Sequence, residues 1–199
     1  MLPSSRFAAV AKWSSVPAAL VLSSALVWHA SYSAFSATAD NPASNWAAGT
    51  VALSDDDNST ALFSATNLKP SSTGTKCIVV TSTGSLPSTV KLYGTSPATT
   101  LGLSSYLDLV VDEGTGGSFA GSGPTSCTGF TSTANAYTGT LAAFGTGKTS
   151  FATGVGSWGP AAGTQTHTYR FTYTVNSAIP NSAQGGTAAI GFTWEAQNS

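Results

Sequence analysis

The groups that could do chemistry in this chain are few. It has two histidines, His29 and His167, two cysteines, Cys77 and Cys127, and eight acidic residues. Six of those acids fall in two clusters, Asp55-Asp56-Asp57 and Asp108/Asp112/Glu113. A catalytic zinc takes three protein ligands, usually including histidines, and its commonest signature sets two histidines four apart with a glutamate between. No such spacing occurs. A centre built from His167, aspartates and cysteines would need both thiols free, so His167 reads as a packed histidine on the apolar face of a strand. The acidic run could seat calcium, but an EF-hand loop needs Gly at its sixth position and Glu at its twelfth. Counted from Asp55 these are Thr60 and Thr66, so the run reads as a hairpin turn. Asp108, Asp112 and Glu113 close a strand beside Gly114-Thr115-Gly116-Gly117 and are expected to face solvent. Paired carboxylates can hydrolyse glycosides, yet no aromatic-rich loop accompanies them, and no Gly-x-Ser-x-Gly elbow exists to raise a serine. Ala142–Thr149 (AAFGTGKT) fits a loose phosphate-loop pattern, but that mechanism needs a helix after the loop, and Ser150–Gly156 is a poor helix former. No catalytic residue, metal or cofactor is expected.

The elements that must position these groups follow from composition. Of 199 residues only 8% are charged, against about 25% in an ordinary protein. Their place is taken by 30 Ser and 29 Thr, beside 21 Gly and 9 Pro. Thr and aromatic residues suit pleated surfaces, and Gly, Pro, Asn and Ser suit turns; Lys and Glu, the usual helix builders, are scarce. Seven scattered basic residues and a net charge of −1 cannot follow a phosphate backbone, so no nucleic acid is expected. Met1–Trp13 carries Arg6 and Lys12 and no acid, and Val16–Trp28 is apolar but shorter than the roughly 20 residues a membrane span needs. Residues 1–34 therefore read as a cleavable signal peptide. Cleavage is placed after Ala34, with Ala30 or Ala39 as alternative positions, and a retained anchor is the competing reading. The processed chain is expected to be secreted, with no membrane attachment. In that compartment Cys77 and Cys127 are expected to form a disulfide, two reduced buried thiols being the alternative.

Strand-like runs separated by turn residues occupy most of the chain. They are Trp46–Leu53, Thr60–Thr66, Lys76–Thr83, Thr89–Tyr93, Tyr106–Glu113, Thr166–Val175 and Thr187–Gln197. In the last two, His167, Tyr169, Phe171, Tyr173 and Val175, then Ala188, Ile190, Phe192, Trp194 and Ala196, alternate with smaller or polar residues. That period belongs to strands with one buried face. Ala134–Phe144 is expected to hold one short helix or helical turn, and the Gly-rich stretch to Gly163 to be loop. The expected fold is all-β, an antiparallel two-sheet jelly-roll sandwich with one short helix. The expected organisation is a signal peptide over 1–34, an extended arm over 35–45 and the sandwich over 46–199.

Three short segments add a resemblance. Ala48-Gly49-Thr50-Val51-Ala52-Leu53, Asn67-Leu68-Lys69-Pro70 and Thr83-Gly84-Ser85-Leu86 resemble the opening of the TasA/camelysin family of exported Gram-positive proteins. Tyr32-Ser33-Ala34-Phe35 is similar to that family's processing site. The tail Ala183–Ala188 followed by Phe192-Thr193-Trp194-Glu195-Ala196 is similar to actinobacterial members. The resemblance covers both ends of the chain and leaves 95–165 unmatched. It implies a secreted jelly roll that assembles with itself into surface fibres or biofilm matrix, together with other matrix or cell-wall components. For the camelysin branch it implies a peptidase, which the histidine count opposes. The arm Phe35–Asn45, with Phe35, Ala37 and Ala39 on one side, is expected to add as a strand to the next subunit, head to tail. The competing expectation is a monomeric exported module that binds a cell-wall or carbohydrate ligand.

Overall fold

Residues 36–38, 50–119 and 127–198 are described by the computed structural model. The expected signal peptide over 1–34 and the expected arm residues Phe35 and Ala39 lie outside them. Among the described residues eight strands form two antiparallel sheets: β1 (Ser36–Thr38), β2 (Leu53–Asp55), β3 (Thr73–Ser82), β4 (Ser88–Thr99), β5 (Leu107–Thr115), β6 (Thr131–Thr140), β7 (Gln165–Val175) and β8 (Ala188–Asn198). The smaller sheet has the order β1-β8-β4 and the larger β2-β3-β7-β5-β6. Among the described residues one short α-helix, α1 (Leu141–Gly147), follows β6 directly.

The core is the sum of alternate residues from the two inner faces. β3 supplies Ile78 and Val80, β5 Leu109 and Val111, and β7 Tyr169 and Phe171; β4 and β8 answer with Val90, Leu92, Trp194 and Ala196, all buried. The aromatic rings interlock across the gap. Tyr169 meets Trp194 at 5.5 Å between ring centroids and Phe171 meets Phe192 at 4.6 Å, in tilted pairings that add to simple burial. Phe144, projected by α1, is fully buried and meets Tyr137 edge-on at 4.9 Å.

Two expected elements are displaced. Ala134–Thr140 is not helical but forms the second half of β6, paired with β5, and the helix begins only at Leu141. Thr140 turns the chain, its extended backbone placing Oγ1 to accept the N–H of Ala143 at 3.1 Å, as an N-cap does. Thr60–Thr66 carries strand-forming residues but pairs with no strand among the described residues; its apolar side chains, Leu62 and Phe63, pack into the core from irregular backbone.

Cys77 and Cys127 are bonded, with Cα atoms 5.2 Å apart and 50 positions of chain between them. Cys77 points away from the core on β3, yet is fully buried, because Gly117 and Cys127 of the β5–β6 connection lie over it. The same connection rests Phe130 on the Arg170 guanidinium, 4.7 Å from the ring centroid, and Arg170 in turn pairs with Asp112 at 2.7 Å. Cross-linking a loop of this length restricts the unfolded chain by about 4 kcal/mol. Replacing both cysteines by serine should therefore lower the unfolding free energy by roughly that amount in urea titration, with the sheet spectrum retained. An unchanged midpoint would mean that the staple is ornamental.

Candidate functional site

Several of the residues singled out for chemistry, Glu113, Asp56 and Asp112 among them, tie parts of the fold together. Glu113 is the clearest correction to the sequence reading. It was expected in solvent with Asp108 and Asp112, which do lie on the outer face of the sheet. Glu113 instead shares the inward parity of Leu109 and Val111 and is 1% exposed. Its carboxylate accepts the N–H of Ser157 (2.9 and 3.0 Å) and the Ser157 hydroxyl (2.6 Å). Lys91 Nζ donates to the carbonyl of Gly156 at 2.6 Å. That carbonyl and the Ser157 N–H belong to one peptide group, so a single peptide is held between an ammonium and a carboxylate. Gly156 is required there: its φ is +105°, and a Cβ would stand 3.0 Å from Glu113 Oε1, in a region L side chains avoid.

His167 lies beside this clamp. Its Nε2 is 3.7 Å from Glu113 Oε1, beyond hydrogen-bond reach, and its ring stacks on Trp158 at 5.2 Å and 11°. Burial holds its pKa below the ordinary 6.5, and the Glu113 charge pulls only partly back. Nε2 of His167 and the hydroxyl of Tyr169 are both buried without a hydrogen-bond partner. Burial, then the Glu113 carboxylate, pushes the Tyr169 hydroxyl well above its usual range. Among the described residues no three His, Cys, Asp or Glu side chains gather as metal ligands. The phosphate-loop match is largely taken up by α1 itself, so it offers no strand–loop–helix cradle.

The acidic run is likewise a joint. Asp56 accepts the backbone N–H of Val79 at 2.8 Å and of Phe119 at 2.7 Å, tying the β5–β6 connection to the edge of β3. Asp57 accepts the Ser59 N–H at 2.7 Å. Asp55 is half-buried; desolvation first, then a shared hydrogen bond and repulsion with Asp57, raise its pKa from 3.8 to about 6.

What distinguishes the fold is the treatment of its sheet edges, where unpaired N–H and C=O groups invite another strand. The β4 edge is covered by the Gly-rich segment. Ser88, Val90 and Leu92 donate to Pro160, Trp158 and Val155, and Val155 donates back to Leu92. The β6 edge is distorted by two register shifts against β5, and bulges of this kind discourage pairing. The edge strand β2 is only three residues long. The β8 edge is different. Only Glu195–Gln197 is paired, by β1, with Ser36 opposite Gln197 and Thr38 opposite Glu195. From Ala188 to Trp194 no strand accompanies it among the described residues. Beneath that stretch a cleft of about 1120 Å³ opens, floored by Ile78, Leu109, Tyr173 and Val175.

The ties make two predictions. Glu113→Gln leaves a peptide clamp without its charge and should cost on the order of 3 kcal/mol in denaturant unfolding, whereas Asp108→Asn, on the outer face, should cost little. For Asp55, the folded state keeps a proton that the unfolded chain releases above pH about 4. Stability should therefore fall as pH rises from about 4 towards 6 and level off beyond. Asp55→Asn should remove that slope and raise the melting temperature at pH 7.

In comparisons with known proteins the chain matches no family model and no curated protein.

Proposed function

We propose that this chain is a secreted, non-enzymatic subunit of a surface fibre or extracellular matrix, built on a jelly-roll sandwich and assembled head to tail through its N-terminal arm. The observation that carries the reading is the β8 edge, among the described residues the one long edge that is neither covered nor bulged, and one that accepts there only the three residues of β1. A strand already pairs there within the chain, so the same register is open to the arm of a second copy. Continuing past Thr38 in that register, an arm would run beside Trp194 towards Ala188, over the cleft. Exchange of a terminal strand between copies gives a heterologous contact, which propagates unless a rotation closes it. The resemblance of both chain ends to the TasA/camelysin family supports the same conclusion, as does the commitment of Glu113, Asp56 and Asp57 to backbone N–H groups. While a signal peptide remained attached, the arm would be tethered and unable to reach a neighbour, so processing would license assembly.

The test compares the chain beginning at Phe35 with one beginning at Trp46, by electron microscopy and size exclusion. The longer form should give filaments or a ladder of oligomers. The shorter should fold, with the same disulfide, and elute as a monomer. Filaments from both, or from neither, would refute arm-mediated assembly.

A further inference from the structure

We propose that Glu113, His167 and Trp158 form an acid-operated latch that lifts the 155–160 segment away from β4 and bares that second sheet edge. The latch concerns an edge on the other side of the smaller sheet from β8 and stands whether or not the arm assembles. Three features place it. First, the polar contacts that hold the covering segment are few: the Gly156–Ser157 peptide between Lys91 and Glu113, and the four backbone bonds to Ser88, Val90 and Leu92; its apolar anchors are Val155, buried in the core, and Trp158, packed against it. Second, the segment itself buries the histidine, through the Trp158 stack. Third, the buried Nε2 of His167 has no hydrogen-bond partner, so the closed form offers nothing to receive a proton there except the Glu113 carboxylate at 3.7 Å.

The surroundings set the direction. On β7, His167 has Tyr169 as its neighbour, at 5.3 Å between rings; β5 contributes Glu113, and β3 sets apolar Val80 opposite. The covering segment brings Ser157 and Trp158, β4 brings Lys91 to the Gly156 carbonyl, and β8 brings Trp194 against Tyr169. Burial disfavours the imidazolium more than Glu113 favours it. Lifting the cover rehydrates the ring and restores its ordinary affinity for a proton. The open form therefore binds more protons than the closed form below pH about 6.5, and acid shifts the balance towards opening. Above that value the closed form is fully favoured. Opening leaves the N–H groups of Ser88, Val90 and Leu92 unpaired, in the arrangement that recruits a further strand.

The test is amide hydrogen exchange on the processed chain at pH about 7.5 and about 5, corrected for intrinsic rates, with His167→Phe and His167→Gln beside it. Phe keeps a ring against Trp158 and cannot titrate; Gln guards against a packing fault in the first variant. Protection of Val90 and Leu92 should fall on the order of tenfold at the lower pH, while Ile78 and Phe171 in the larger sheet stay protected. Both variants should lose the pH response. Unchanged protection of Val90 and Leu92, loss spread evenly over both sheets, or an undiminished acid response in the two variants would overturn the latch.

Discussion

Every strand edge carries backbone groups that must find partners, and in this molecule that demand organises almost everything else. Two open sheets have four edges. A barrel would remove them by closure; here each is handled separately, and the devices account for otherwise puzzling residues. The Gly-rich segment before β7 exists in its present course because β4 needs an edge partner. It is kept there because Lys91 and Glu113 hold one of its peptides from opposite sides. β6 is bent out of pairing geometry by two register shifts. β2 is simply too short to template much. Among the described residues only β8 is left, with a minimal partner and a cleft beside it.

The scarcity of charge sharpens this picture. With 8% charged residues, there is little surface repulsion to keep copies apart, so edge control must come from covering and distortion. The charges that are present are mostly employed. Glu113 is buried, which is costly unless a carboxylate is fully hydrogen-bonded, and three bonds from Ser157 meet that requirement. Arg170 and Asp112 pair on the outer face beneath Phe130, and Asp56 secures two backbone donors. Together with the disulfide these hold the β5–β6 connection against the larger sheet.

Much of the fold was legible because alternation is a direct readout of burial. Thr166–Val175 and Thr187–Gln197 declared both their strands and their inward faces, and the cysteine pair declared the staple. The same rule, applied one step further along β5, would have placed Glu113 inside, since it continues Leu107, Leu109 and Val111. Proximity to Asp112 and a glycine turn masked that parity. Thr60–Thr66 misled because β-forming residues describe a surface that suits a sheet, not the presence of a partner strand. Ala134–Thr140 misled in the opposite sense: alanines suggest helix, but pairing with β5 overrides propensity. The clamp on Gly156–Ser157 left no trace in the sequence beyond a positive-φ glycine, because its jaws, Lys91 on β4 and Glu113 on β5, lie 65 and 44 positions before the residues they hold.

The central claim is that the β8 edge receives the arm of another copy. Single cysteines at Ser36 and Gln197, opposite each other in the β1–β8 register, test it without shortening the chain. Ser36→Cys and Gln197→Cys proteins would be processed separately, mixed under assembly conditions, oxidised, and analysed by mass under non-reducing conditions. Exchange in trans predicts a covalent dimer joining one chain of each kind, formed in fibres and absent from dilute monomer. If the mixture yields no such dimer, while the doubly substituted chain closes its bond internally in every assembled form, the arm stays at home and the β8 edge is not the joint.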